Sequence, residues 1–388
     1  MTCACSPHSV PGARCSVGRV IRRGNRRCAA GCVPGRSRVH RLRLYKGLGN
    51  DGARQSRSDR RLARSTTVGN QDMRIVIALA SDALHRLGAK GGTQEDPLIV
   101  RSVAAQLARI AQGNDVVIVH SDGYRISSHA DHHHEGRDSG AVSTELTHAE
   151  AAPTKMGTSL ERELCDMLPS VRRCAALHTQ VEVDRADPAF DAPNKAVGPM
   201  LTGERALAAA REKRWHLAHD GIAYRHVVPS PQPVRLLQEE PLRRLVEQGA
   251  VVVCTVGVMP VVTADDGGLH AVDAVVDEHD GAALVARTVQ ADLFVIATDK
   301  PGVFLDWGTA NSKLLRHGHP SVLHELARTA GTMSAKLEAA AHFAERTGRR
   351  AAIGALSDVV RLVDGTAGTT ISCERVDPRG FDGGAVAC

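Results

Sequence analysis

The sequence predicts an α/β protein: a mainly parallel sheet with helices on both faces. Two observations carry this expectation. From Met73 onward, short β-branched runs alternate with stretches of helical apolar spacing, and the runs are apolar almost throughout rather than at every second residue. The 388-residue chain is also long enough to bury a sizeable core. Segments 75–79, 115–119, 181–183, 250–254 and 293–297 read as buried strands, each rich in Val or Ile. Segments 99–111, 160–168, 234–248 and 321–330 read as the amphipathic helices between them. Sheets of this kind put ligands beyond the carboxyl ends of their strands. Chemistry is therefore sought at residues 80–82, 120–123, 255–260 and 298–299.

The charge is unevenly spread. Residues 1–72 hold fifteen Arg and one Lys against three Asp, a net of +13, while 73–388 hold 33 basic and 40 acidic residues, a net of −7. The basic balance belongs to the amino-terminal arm, which has no acid before Asp51 and no apolar periodicity. The arm is expected to be disordered sequence outside the working fold. A transit peptide and a nucleic-acid-binding tail are the alternatives. Met73-Arg-Ile-Val-Ile-Ala-Leu79 reads as a natural start followed at once by a buried strand. Five of the ten Cys lie in the arm, and Cys28-x3-Cys32 lacks a second ligand pair. The remaining five are scattered, as expected of reduced cytoplasmic thiols. The apolar run 251–262 is too short to span a bilayer and contains Gly257 and Pro260, so no membrane partner is expected.

Residues 184–233 interrupt the alternation with six prolines, and predict a rigid, turn-rich insertion projecting from the sheet. Residues 128–152, with His129, His132, His133, His134 and His148, read as a solvated loop, with a transition-metal site as the alternative. Residues 373–388 read as a flexible tail.

Two stretches of the insertion carry a resemblance. Asp187-Pro-Ala-Phe-Asp-Ala-Pro-Asn-Lys-Ala-Val-Gly198 and Val227-Val-Pro-Ser-Pro231 are similar to the lid of carbamate kinases. Gly331-Thr-Met-Ser-Ala-Lys336 is similar to that family's Gly-Ser-Met-Gly-Pro-Lys, and Gly365-Thr-Ala-Gly-Thr-Thr-Ile371 to its terminal Gly-x-x-Gly-Thr-x-Ile. Residues 352–356 resemble the apolar strand before that last motif. The likeness runs collinearly over about 73–372. It implies the amino-acid kinase fold, a three-layer sandwich with a protruding lid at 184–233. It also implies transfer of a phosphoryl group between ATP and carbamate, ATP/ADP with Mg2+, and a homodimer. Lys195 and Lys336 would be the catalytic cations; Thr298, Asp299, Gly331, Thr332 and Met333 would lie by the nucleotide. Lys336 also makes sense on physical grounds, since Thr332 or Ser334 can cap its helix and a lysine in a first turn suits a shared anion.

The phosphate-binding loops depart from the family. Gly-Gly-Asn-Ala-Leu is here Ala80-Ser-Asp82-Ala-Leu84, and His-Gly-Asn-Gly-Pro-Gln-Val-Gly is His120-Ser-Asp122-Gly123-Tyr-Arg-Ile-Ser127. A four-glycine run is Thr255-Val-Gly257-Val-Met-Pro-Val261, and Ile-Asp-Lys-Asp is Val276-Asp-Glu278-His279. Val256 and Val258 tolerate neither positive φ nor close approach to an anion, so that loop is expected to take another shape. A neutralising lysine has become Glu278, which turns local attraction for phosphate into repulsion. Asp82, Asp122, Asp277, Glu278 and Asp280 could hold Mg2+ against the nucleotide. The expected activity is that of a carbamate kinase; the alternative is an impaired member of the fold that binds a nucleotide or small acid as a sensor or subunit.

Overall fold

The computed structural model describes residues 73–87, 97–120, 151–212, 215–220, 223–256, 260–263 and 267–374. The expectations for the arm, the His-rich loop at 128–150, the tail beyond 374, Asp122, Gly123 and Gly257 lie outside these residues.

In chain order the strands are β1 (Arg74–Leu79), β2 (Asp115–His120), β3 (Cys174–His178), β4 (Val181–Val183), β5 (Lys195–Leu201), β6 (His216–Asp220), β7 (Ala223–Val228), β8 (Pro233–Leu236), β9 (Val251–Thr255), β10 (Val261–Thr263), β11 (Leu269–Ala271), β12 (Leu293–Thr298), β13 (Phe304–Leu305), β14 (Lys313–Leu314), β15 (His317–Gly318), β16 (Arg350–Ala355) and β17 (Thr369–Ile371). The helices are α1 (Ser81–Leu87), α2 (Pro97–Ala111), α3 (Ala151–Met167), α4 (Gly203–Glu212), α5 (Glu239–Glu247), α6 (Glu278–Thr288), α7 (Pro320–Ala327), α8 (Ser334–Thr347) and α9 (Val359–Val363).

Eight strands form the main sheet in the order β15-β17-β16-β12-β1-β2-β9-β3. Every neighbouring pair is parallel except β16 with β17. Side-chain alternation sends the two faces of each strand into separate cores. Val76, Ala78, Val117, Val119, Phe294 and Ile296 pack beneath α5, α6, α7 and α8. Ile75, Ile77, Leu79, Val116, Ile118 and Val295 pack beneath α2, α3 and α9. The result is a sheet between two helical layers, and both faces demand apolar side chains, which is why the strands read as unbroken Val/Ile runs. A four-stranded sheet, β11-β10-β4-β8, and a three-stranded one, β5-β7-β6, complete the insertion side.

Several expectations need correction. Segment 234–248 is not one helix: Pro233–Leu236 is β8, antiparallel to β4, and only Glu239–Glu247 is helical. Pairing with β4 overrides the weak helical preference of that stretch. Residues 151–152 begin α3, which ends at Met167 rather than Leu168. Helix α7 stops at Ala327, three residues short of the expected end, because the chain turns there toward Gly331, whose φ of +55° suits glycine. Within the insertion expected to be turn-rich, Lys195 is instead the first residue of a strand, β5, paired with Val228. Neither Thr332 nor Ser334 caps α8; the Ser334 hydroxyl instead donates to the Ala327 carbonyl at 2.6 Å and ties α8 to α7. No helix among the described residues is long and apolar enough to cross a membrane.

Candidate active site

The site forms where the carboxyl ends of β1 and β12 meet the amino ends of α6 and α8. Strand β1 runs directly into α1, so Ala80-Ser-Asp82 is the start of a helix rather than an open loop. Asp82 accepts hydrogen bonds from the Thr298 hydroxyl at 3.1 and 3.0 Å, which joins the ends of β1 and β12. Its carboxylate also lies 3.0 Å from Lys336 Nζ. Lys336 is buried, contrary to what an isolated helical lysine would do. Its charge is sheltered by Asp82.

A second pair stands beside the first. Asp277 caps α6: one carboxylate oxygen accepts from the His279 backbone N–H at 2.8 Å. The other oxygen accepts from Lys195 Nζ. Burial opposes the charge on Asp277, yet Lys195, His279 and these hydrogen bonds hold its carboxyl far below the ordinary carboxylate range. Burial likewise opposes the charge on Lys195, but Asp277, with Glu278 and Asp280 beyond it, raises the lysine above its usual value.

His279, two residues after Asp277 in the first turn of α6, is buried, with its Nδ1 unpartnered among the described residues. Burial lowers its pKa, Glu278 and Asp277 oppose that, and both Lys336 and Lys195 push it down further. The two lysine pairs are linked through neighbouring residues: Asp82 follows Ser81, which bonds Glu278, and Glu278 follows Asp277. Glu278 is turned to α1, accepting from the Ser81 N–H at 3.3 Å and the Ser81 hydroxyl at 3.1 Å, and approaches His279 Nε2 at 3.4 Å. The acid that replaces the family lysine therefore clasps α1 to α6.

The insertion is anchored to this centre by its own resembling stretches. Asp187 caps the short turn Pro188–Phe190 and accepts the Gln232 N–H at 2.9 Å, linking the two stretches. The Gln232 side chain donates to Asp280 at 3.1 Å, and the Pro229 carbonyl accepts from Val275 N–H at 3.0 Å, two residues before Asp277. Burial, then the Asp277 charge, pushes the Asp280 carboxyl up to about 7.

Of the third loop, residues 257–259 lie outside the described residues, and Val256 and Pro260 flank them. Val256 is buried, and it is not among the residues of positive φ. Its side chain packs where a Cβ on Gly281 would stand 3.1 Å away, so Val256 and Gly281 of α6 fit each other. Of the residues the resemblance puts by the nucleotide, Thr298 is buried and Asp299 pairs with Lys300 at 3.1 Å. Gly331 and Thr332 are exposed at the turn into α8, and Met333 packs on the core under that helix.

Sequence reasoning did not foresee that Asp277 and Asp82 would each hold a lysine. Asp277 had one available signal, its position immediately before an apolar helical run, where caps occur. His120, expected in a loop, is buried at the end of β2, both ring nitrogens unpartnered among the described residues, and burial pushes it down to about 4. Among the described residues, Asp82, Asp277, Glu278 and Asp280 do not form a group with metal-ligand spacing; the group that does lies elsewhere.

The sequence profile of the Amino acid kinase family matches residues 73–355. The chain belongs to that family. Its relatives include carbamate kinases of Haemophilus influenzae, 40% identical over 301 residues (77% of this chain and 97% of the relative), and of Rhizobium meliloti, 36% identical over 304 residues (77% and 93%). A crystal structure from Aeropyrum pernix, 31% identical, superposes with a TM-score of 0.67 over 77% of this chain and 99% of that one. A carbamate kinase from Giardia lamblia bound to AMP-PNP shares the fold at 24% identity, with a TM-score of 0.66 over 78% of this chain and 98% of that one. The large, mainly parallel sheet with helices on both sides is the amino-acid kinase fold.

Proposed function

We propose that this chain is a carbamate kinase, transferring the γ-phosphoryl group of ATP to carbamate or running in reverse to make ATP from carbamoyl phosphate. The observation that carries the proposal is that Asp82 of α1 holds Lys336, Asp277 at the start of α6 holds Lys195, and Glu278 bonds Ser81 between them, which gathers both lysines at the carboxyl end of the sheet. These are the two cations the resemblance assigns to the reaction, and relatives matched over 93–97% of their own length and 77% of this chain are named carbamate kinases.

Phosphoryl transfer asks little covalent chemistry of a protein, and needs positioning and neutralisation of charge on the oxygens in flight. Lys336, at the third position of α8, meets the phosphates where free backbone N–H groups of that helix also point. Lys195, carried by the insertion, faces the acceptor and the group being passed. Asp82 and Asp277 hold both cations in place before substrate arrives. Thr298, Asp299 and the turn Gly331–Met333 flank the nucleotide. In this reading residues 184–233 are a lid and 73–372 one catalytic domain, working as a cytoplasmic homodimer without nucleic acid or membrane.

The donor set suits magnesium that arrives on the nucleotide rather than a resident ion. Asp82 is a partly exposed hard-oxygen ligand, and Mg2+ commonly takes one or two carboxylates with its phosphates and waters. When bound, it neutralises the β- and γ-phosphates. Asp82 would hold it, with Glu278 nearby.

A coupled assay for ATP formation from carbamoyl phosphate and ADP tests the proposal on the full chain. ATP production that depends on both substrates is the expected result. No rate above background, with nucleotide still raising the thermal midpoint, would overturn the kinase and leave a nucleotide binder of this fold.

A further inference from the structure

Away from the two lysine pairs, helices α7 and α8 bring three further ligand-type side chains together. Glu338 and His342 are four residues apart on α8 and so share a face. His324 of α7 meets them from across the helix pair, and one ligand atom from each of the three lies within 4.8 Å of the others. All three are half-buried. From these positions we propose that His324, Glu338 and His342 form a zinc site that ties α7 to α8.

The distances suit the ion. Tetrahedral zinc with N and O ligands at about 2.0–2.2 Å keeps those ligands roughly 3.4 Å apart. His342 Nε2 stands 3.7 Å from Glu338 Oε2, and His324 Nδ1 stands 2.5 Å from the same oxygen. Side-chain movements of under about 1 Å on these two edges would therefore admit the ion. Two imidazoles and a carboxylate are a donor set for a borderline divalent metal, not for Mg2+ or Ca2+. A water would complete four-coordination.

A further acid supplies what such sites usually add. Glu345 Oε1 lies 3.1 Å from His324 Nε2, the ring nitrogen turned away from Glu338. An N–H donated to Glu345 fixes the tautomer in which Nδ1 offers its lone pair toward Glu338 and His342, the carboxylate–histidine–metal arrangement. Glu345 is a positioning residue here. Without metal, His324 sits between two carboxylates that, against the effect of burial, raise its pKa. Zinc would take the place of the Nδ1 proton.

The placement suggests what the ion does. α7 and α8 flank the turn Gly331–Met333, and Ser334 already ties one helix to the other. Lys336 is buried on the inner side of α8, while Glu338 stands about 200° round the helix. Zinc would fasten the outer side of the helix pair without touching the phosphate-facing cation.

Anomalous diffraction at the zinc edge, on the full chain crystallised with zinc, locates the ion directly. The expected result is a peak within about 2.2 Å of ligand atoms of Glu338 and His342 and of His324 Nδ1. Because the chain carries ten Cys and nineteen His, total zinc uptake is not decisive, and solution binding is compared between variants. By competition with a chromophoric chelator, H324A and H342A should each lose one zinc, and Glu345→Gln should weaken it about tenfold or more. The rise in thermal midpoint on adding zinc should vanish in H324A and H342A. Absence of a peak between α7 and α8, or equal zinc binding and equal zinc-induced stabilisation in all four proteins, overturns the site.

Discussion

The two lysines of the site are paired in opposite senses. At Lys195 the base reaches the surface and the acid is buried, with side-chain exposures of 35% for Lys195 and 9% for Asp277. At Lys336 the base is buried and the acid reaches the surface, 7% against 37%. A buried charge needs a partner, whereas an exposed one can turn to water. Asp82 can therefore leave Lys336 when a phosphate arrives, while Asp277 cannot leave Lys195. In the proposed reaction, one pair is a cation that exchanges its anion for phosphate, and the other is a buried anion that keeps its cation on the insertion.

The largest break expected in this comparison is in activity. Replacing Lys336 with Met should lower ATP formation in the coupled assay by about 10³-fold, as loss of a preorganised transition-state cation does. Its thermal midpoint should change little, because Asp82 remains solvated. Activity within tenfold of wild type would remove Lys336 from the reaction.

Lys195→Met should show the reverse emphasis in stability. It strands the Asp277 charge, which for a fully buried pair costs roughly 3–5 kcal/mol; with Lys195 partly exposed, screening trims this to about 2 kcal/mol. Adding Asp277→Asn should recover much of that loss in urea unfolding. The pH dependence has a definite sign. The folded carboxyl of Asp277 is depressed, so its contribution is present above about pH 4, the unfolded value, and fades as pH falls below that. Lys195 is raised, so its contribution holds until pH passes about 10.4 and is lost on going through the higher folded value.

Asp82→Asn sharpens the other half. If Asp82 competes with phosphate for Lys336, removing its charge should tighten binding of ADP without Mg2+ by about tenfold, roughly 1.4 kcal/mol, in calorimetric titration. Unchanged or weaker binding would mean that Asp82 does not contest the cation.

Asp280 offers a smaller effect. Its carboxyl, pushed up to about 7, keeps a proton in the folded state that the unfolded chain has released. Stability should therefore fall as pH rises from about 4 to 7, and Asp280→Asn should flatten that slope; linkage over three pH units would give roughly 4 kcal/mol, which solvent screening at this partly exposed carboxyl trims to about 1 kcal/mol at neutral pH. The smallest expected loss, also about 1 kcal/mol, is for Gly157→Ala, whose Cβ would stand 2.9 Å from His120 Nε2 and force the ring to shift. Chemical unfolding measures both.

The sheet was legible because burial on both faces leaves its strands little choice but Val, Ile and Ala. β3 was not, since Cys174-Ala-Ala-Leu-His178 is a half-exposed edge strand with weak β-propensity. β8 was hidden in an apparently helical stretch because its partner β4 lies far away in sequence. The lysines were legible only through resemblance. Their partners were not, since charge pairing over 82 residues between Lys195 and Asp277 leaves no local pattern. The loop substitutions read as losses, yet Val256 fits Gly281 and Glu278 clasps Ser81, compensations that exist only once the chain is folded.

A crystal structure with Mg-ADP tests the asymmetry most directly. The prediction is a phosphate oxygen within hydrogen-bonding distance of Lys336 Nζ, Asp82 turned away from it, and Lys195 still on Asp277. An intact Lys336–Asp82 contact beside a bound nucleotide, or Asp277 parted from Lys195, would contradict it.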